Sequence, residues 1–244
     1  MILICLPYAG GASYIYSRWN KHTDESILVV PIELKGRGKR YGEAFYEDFE
    51  DAVNDIYNNI DDIIDKNDYA IFGHSMGSLL AYELYYKIER DNRKIPQHIF
   101  FSGCRAPGLG RLTNINCKLP DYEFMKQVVE LGGTSDEIMN NKELMEIYVP
   151  ILKSDISMYQ NYRYIEKDNK INCDISVLYG RKDSITIDEL RSWENQAGKS
   201  FNMYEFEGNH FFINDNKEEV INIINKVSGE REVEICRLNV DNHR

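Results

Sequence analysis

Six short runs of the chain are rich in strand-forming residues, and most of them are nearly all apolar: residues 2–6, 27–32, 69–72, 98–102, 175–179 and 201–206. A short continuous apolar run suits a strand covered on both faces, as in a parallel sheet. Between the second and third runs, Phe49, Val53, Ile56, Ile60, Ile63 and Ile64 recur mostly at spacings of three and four, which predicts an amphipathic helix. After the third run, Met76, Leu80, Leu84 and Ile88 recur every four residues. Near the end, Val220, Ile221, Ile223, Ile224 and Val227 repeat a helical pattern. Strands alternating with helices predict an α/β fold, with a mostly parallel central sheet and helices on both faces.

One stretch breaks the alternation. Residues from about 112 to 170 carry no strand signal but several helical patterns rich in Tyr, Phe, Met and Ile, including Tyr122, Phe124, Met125, Met145, Tyr148 and Met158. An insertion of this length between two sheet strands predicts a helical lid, most of whose large side chains pack on the sheet domain. The charged residues 229–244 read as a peripheral tail after the last helix. The expected organisation is therefore a single domain over 1–228, with a lid insertion and a short tail.

Composition narrows the chemistry. The 244 residues are long enough for one large core, and the net charge of -11 argues against a nucleic-acid binder, which needs basic surface. The five cysteines (Cys5, Cys104, Cys117, Cys173 and Cys236) are scattered and form no C-x-x-C pair. That pattern predicts no disulfide framework, no structural zinc and a reducing, cytoplasmic setting. The apolar start of the chain lacks a basic lead and is interrupted by Pro7, Gly10 and Gly11, so it reads as a strand and loop. No run approaches the roughly 20 apolar residues that a membrane span needs. No H-E-x-x-H, histidine pair at ligand spacing or cysteine cluster occurs, so no catalytic metal is expected.

The third apolar run leads into Gly73-His74-Ser75-Met76-Gly77, and a helical pattern follows. A serine hydroxyl is a weak nucleophile that needs a base, an acid to orient the base, and donors for the oxyanion. G-x-S-x-G between strand and helix places the serine on a sharp turn where flanking glycines avoid clashes. A plain N-cap serine would explain neither the two glycines nor the strand before them. In such folds the acid and then the histidine follow later strands. Asp183 follows the fifth run and His210 the sixth, so Ser75, Asp183 and His210 are the expected catalytic residues. The rivals are weaker. His74 sits in the turn, His98 opens a strand, and His22 and His243 are peripheral, while Asp174 precedes its strand and Asp188 begins a helix. The backbone N–H of Met76 is one expected oxyanion donor, and the glycine loop after the first strand should supply another. These residues alone define a serine hydrolase and leave open whether the bond is an ester, a peptide or a thioester.

Three stretches together go further. "LPYAGGAS" at 6–13, "IELKGRGKR" at 32–40 and "FGHSMGSLLAYEL" at 72–84 resemble the type II thioesterases, stand-alone enzymes that accompany nonribosomal peptide and polyketide synthases. The resemblance continues through "FFSGCRAPG" and "YGRKDS" to "FEGNHFFI". It implies an α/β-hydrolase fold with a helical lid, Ser75, Asp183 and His210 as the triad, and Ala9 and Met76 as oxyanion donors. It implies hydrolysis of acyl groups from carrier proteins, clearing misprimed or stalled chains. No cofactor is expected, because the phosphopantetheine arm belongs to the carrier; a monomer that binds neither nucleic acid nor membrane is expected. An esterase or acyltransferase using the same triad is the alternative. Ser78 stands where the family usually has glycine, and Lys35 where proline is common. The run from Lys35 to Arg40 reads mainly as a solvated basic loop, with Arg37 tied to nearby acids or the loop facing an acidic carrier. Lys118 and Lys126 are equal candidates for such docking.

Overall fold

The six apolar runs form β1 (Ile2–Leu6), β2 (Leu28–Pro31), β3 (Tyr69–His74), β4 (His98–Ser102), β5 (Asp174–Gly180) and β6 (Phe201–Phe206). They belong to a computed structural model that describes residues 1–109, 115–130 and 136–241. All pairings are parallel, in the order β2-β1-β3-β4-β5-β6. Side chains leave a strand on alternate faces, so each strand feeds two cores. Ile4, Leu6, Ile71, Ile99, Phe101 and Val177 face one side; Leu3, Cys5, Ala70, Phe72, Phe100 and Leu178 face the other.

The first face is covered by α1 (Phe49–Asn59) and α3 (Met76–Arg90). Asp48 caps α1 by accepting the Asp51 N–H. The single helix predicted up to Ile64 divides at Ile60, whose φ of -105° and ψ of 5° leave the helical region, and α2 (Asp61–Ile64) follows. The lid lies between β4 and β5 as α4 (Asp121–Glu130), α5 (Asp136–Met139) and α6 (Lys142–Asn161). Residues 110–114, which include the start of the expected lid, and 131–135 within it lie outside the described residues. Phe124, Met125 and Val128 of α4 pack on Val149, Leu152 and Ile156 of α6, while Met158 of α6 joins the main core. Helix α6 therefore belongs to both the lid and the sheet domain.

After β5 comes α7 (Ile187–Arg191), opened by a capping box between Thr186 and Glu189. The second face is covered by Tyr16 and Trp19, by α8 (Phe212–Asp215) and by α9 (Lys217–Asp241). The expected tail needs correction, because α9 runs on to Asp241. Ser228 and Gly229 look like a stop signal. Yet the Ser228 hydroxyl bonds back to the Ile224 carbonyl at 2.8 Å, and the residues that follow are mostly good helix formers without proline. Among the described residues, no helix is long and apolar enough to cross a membrane.

The strand order sets where chemistry can occur. From β1 the chain steps outward to β2, then returns past β1 to β3 and continues the other way. Loops leaving the carboxyl ends of β1 and β3 diverge, which opens a crevice at that point. The loop after β1 carries Ala9 and Gly10, and the turn after β3 carries Ser75.

Candidate active site

Ser75 sits between β3 and α3 with φ 53° and ψ -117°, a backbone conformation that residues with a side chain rarely adopt. Close backbone packing leaves no room for side chains around it. A Cβ on Gly73 would strike the carbonyl of Gly77, and one on Gly77 would strike the carbonyl of Leu6. The spacing of the two glycines is thus a steric requirement of the turn. The Ser75 N–H donates to the Ser102 carbonyl at 2.7 Å, tying the turn to β4.

Ser78 completes that attachment. Its buried hydroxyl donates to the Gly73 carbonyl at 2.7 Å and accepts the Ser102 N–H at 3.0 Å. Sequence reasoning missed this role, because the partner strand is distant in the chain. His74 is fully buried against Tyr8, Phe211 and Phe212, with Nδ1 2.8 Å from Ser102 Oγ. Burial, and then the nearby His210, push its pKa well below the usual histidine value, so it is a neutral support and not a base.

The other two expected residues reach Ser75 from separate strands. Asp183 follows β5 in a turn closed by its N–H on the Gly180 carbonyl at 3.0 Å. His210 follows β6, and a Cβ on Gly180 would press on the Asn209 carbonyl, so the two loops need that glycine to pack together. His210 Nδ1 lies 2.8 Å from Asp183 Oδ2, and Nε2 lies 3.0 Å from Ser75 Oγ. A carboxylate only accepts, so Nδ1 carries the proton and Nε2 is free to accept one from the serine. Asp183 is 2% exposed and His210 20%, which leaves the imidazole edge open to the crevice.

The rival residues stay apart from this chain of bonds. His98 pairs with Ser176 Oγ at 2.8 Å inside the core, and His22 lies beside Glu218 at the surface. Asp174 accepts the Ser200 N–H, and Asp188 lies in the first turn of α7. His243 lies outside the described residues. Among the described residues, no three His, Cys, Asp or Glu side chains gather as metal ligands.

Met76 opens α3, where helix geometry leaves the N–H without an intrahelical acceptor. The backbone there packs against Leu6 and Pro7, just before Ala9. The two expected oxyanion donors thus lie on adjoining pieces of backbone.

The basic loop differs most from expectation. Arg37 is 2% exposed and forms a two-pronged pair with Asp155 of α6, at 2.6 Å on each prong. Burial alone would lower its pKa, but Asp155 outweighs that and raises it. Arg40 bridges Asp55 and Glu43, and Lys35 meets Asp51. Arg37 is thus tied to an acid, as one of its expected readings had it, while the solvated reading fails for Lys35 and Arg40, whose charge is taken up by acids on the same loop and α1. Lys39 remains exposed.

The strand order, the strained serine turn and the Ser75–His210–Asp183 bonds define an α/β-hydrolase of the serine type. A model of the thioesterase domain family matches residues 1–227, and the chain belongs to that family. The crystal structure of ClbQ from the colibactin NRPS/PKS pathway is similar with a TM-score of 0.90 and 35% identity, covering 95% of this chain and 98% of that one. The type II thioesterase BorB from the borrelidin biosynthetic cluster is similar with a TM-score of 0.83 and 28% identity, covering 92% and 91%. Linear gramicidin dehydrogenase LgrE of Brevibacillus parabrevis is 31% identical over 228 residues, 92% of this chain and 86% of that protein. The redox activity in that last name has no matching motif here, since G-x-G-x-x-G occurs nowhere in the chain.

Proposed function

We propose that this thioesterase acts alone on acyl groups bound to phosphopantetheinyl carrier proteins of a nonribosomal peptide or polyketide synthase, clearing misprimed or stalled chains. The observation that carries this reading is the unbroken Ser75–His210–Asp183 chain at the β1/β3 crevice of a thioesterase-family protein. The names of its relatives from such pathways support the substrate class.

Ser75 Oγ attacks the thioester carbonyl while His210 Nε2 takes its proton. Asp183 holds the imidazole in the required tautomer and steadies the cation that forms. The Met76 and Ala9 N–H groups stabilise the oxyanion. When the C–S bond breaks, the leaving thiolate is a weak base, with a free-thiol pKa of about 8.5, so His210 has less to do as an acid than in amide cleavage. Water then attacks the acyl-serine with His210 as base, and the free acid departs. The enzyme needs no cofactor for these steps, since the phosphopantetheine arm comes with the carrier. Every group is supplied by one chain, which suits a monomer. Free cysteines at 5, 104, 117 and 173 suit a cytoplasmic setting shared with carrier proteins.

The test compares one acyl group on a carrier protein, on coenzyme A and on an oxygen ester. The carrier thioester should show the highest kcat/KM. A preference for the oxygen ester without carrier dependence would replace this reading with an esterase or acyltransferase. Failure of a fluorophosphonate to label Ser75 in the folded protein would argue for a non-catalytic binding protein.

A further inference from the structure

Three segments far apart in the chain meet beneath the loop after β1. The Tyr8 carbonyl accepts the Gly11 N–H at 2.8 Å, closing a four-residue turn with Ala9 and Gly10 at its centre. Gly10 has φ +76°, the value a type II turn requires at its third residue. Such a turn points its central N–H outward, and the Gly10 N–H donates to Asp155 Oδ2 at 2.7 Å. The same carboxylate takes both prongs of Arg37, whose Nη1 also donates to the Gly11 carbonyl at 3.1 Å. One face of α6 seats on this turn. Tyr148, Leu152 and Asp155 are spaced by four and three, and a Cβ on Gly10 would press on Leu152 and on the Tyr148 hydroxyl.

The central peptide of a four-residue turn can flip, which exchanges type II for type I geometry. A flip here would take the Gly10 N–H away from Asp155 and turn the Ala9 carbonyl toward a carboxylate. A carbonyl facing a buried carboxylate is repelled, and the buried charge would lose a donor. Asp155 therefore selects one turn conformation, and the two bonds from Arg37 hold Asp155 in place.

We propose that Asp155, held by Arg37, is a positioning residue for thioester cleavage: by gripping the Gly10 N–H while Arg37 grips the Gly11 carbonyl, the pair fixes the place of the Tyr8–Gly11 loop, and so of the backbone that carries the Ala9 N–H, only while α6 is seated on the loop. Assembly of the oxyanion site is thereby coupled to the lid. This inference rests on the thioesterase reading and on Ala9 as a donor. Asp155 touches neither substrate nor Ser75, so its effect must fall on the tetrahedral state rather than on substrate binding.

The test uses the full-length protein, a small carrier-free acyl thioester and an alkylboronic acid, whose tetrahedral adduct on Ser75 places a negative oxygen among the oxyanion donors. The double variant Arg37→Met with Asp155→Leu replaces the pair by apolar side chains, an exchange that buried ion pairs often tolerate. It keeps the packing and removes the acceptor for Gly10. Asp155→Asn keeps an acceptor for Gly10 but leaves the Arg37 charge uncompensated. Positioning predicts that the double variant melts above Asp155→Asn, though below the wild type because the Gly11 carbonyl loses its donor, yet loses kcat about 10- to 100-fold, with little change in KM and a parallel loss of boronate affinity. It also predicts that Asp155→Asn melts lower and keeps more activity. If kcat and boronate affinity instead follow the melting order, the pair is a structural staple and the proposal falls. Should the double variant not fold, Asp155→Asn against Asp155→Ala makes the same comparison, and equal kcat for the two would overturn the proposal. If the wild type cleaves no thioester but binds boronate, the substrate reading fails, while the boronate affinities still decide the role of Asp155.

Discussion

Two pieces of backbone meet at the β1/β3 crevice, and they are held in opposite ways. The serine turn is held by its own neighbours: Gly73 and Gly77 through close backbone contact, and Ser75 and Ser78 through bonds to the adjoining strand at Ser102. The loop after β1 is held by side chains from elsewhere, with Gly11 bonded to Arg37, 26 residues on, and Gly10 to Asp155, 145 residues on. Steric exclusion in the core enforces the first, and it does not depend on the lid. The second closes its own turn but takes its place from one buried charge pair, and loosens if either partner goes. A site built this way has a permanent nucleophile and an electrophilic side that depends on a separate helix.

The largest effect should come from the permanent half. Ser75→Ala removes the nucleophile but keeps a Cβ, so the turn keeps its strain and its contacts. Turnover of an acyl thioester should fall by roughly 10³ to 10⁶-fold. That corresponds to about 4 to 8 kcal/mol of barrier, at 1.36 kcal/mol per factor of ten. Thermal melting should stay where it is. Near wild-type hydrolysis by this variant would remove Ser75 from the mechanism.

The conditional half should show itself in stability. Arg37→Met strands the Asp155 carboxylate in a site that is 2% exposed, and breaking a buried pair from one side costs about 3 to 5 kcal/mol. Urea unfolding at neutral pH reads this directly. A loss well under about 1 kcal/mol would mean that α6 is held by its apolar face alone, and the contrast between the two halves would weaken.

The same contrast explains what the sequence made legible. The elbow was readable because both glycines answer to close backbone contacts that admit no side chain, Gly73 with Gly77 nearby and Gly77 with Leu6 of β1, so G-x-S-x-G records the clash even where the partner is distant. Asp183 and His210 were readable because each lies just beyond the end of an apolar run, and parallel strands bring such ends to one edge. Four of the six strands keep their predicted first residue: β1, β3 and β4 because burial on both faces leaves a nearly continuous apolar mark, and the half-exposed edge strand β6 on its aromatic and apolar positions alone. Arg37 was less clear. Five charged or glycine neighbours make its run look solvated, and nothing local says that the arginine turns inward to meet a residue 118 positions away. The break at Ile60 and the extension of α9 past Ser228 were also hidden. Apolar periodicity continues through the first, and a serine-glycine pair imitates an end at the second.

Ser78 offers the finest division between the two halves, because it is a polar support inside the steric one. Ser78→Ala deletes a hydroxyl that serves the Gly73 carbonyl and the Ser102 N–H in a fully buried site. Groups left unpaired by such a deletion cost about 1 to 3 kcal/mol, which a shift in the urea midpoint would reveal. Activity should change much less. The Ser75 N–H keeps its 2.7 Å bond to the Ser102 carbonyl, and the contacts of Gly73 and Gly77 do not involve the hydroxyl. Ser75 would then still be forced into its strained conformation and still face His210. Measured kcat on a small thioester should therefore stay within about tenfold of the wild type, below the cost of misplacing a catalytic group by about 1 Å. The opposite pattern, a large loss of kcat with an unchanged midpoint, would show that the nucleophile also depends on a polar strut from a neighbouring strand. The serine turn and the oxyanion loop would then differ only in the distance from which their supports are drawn.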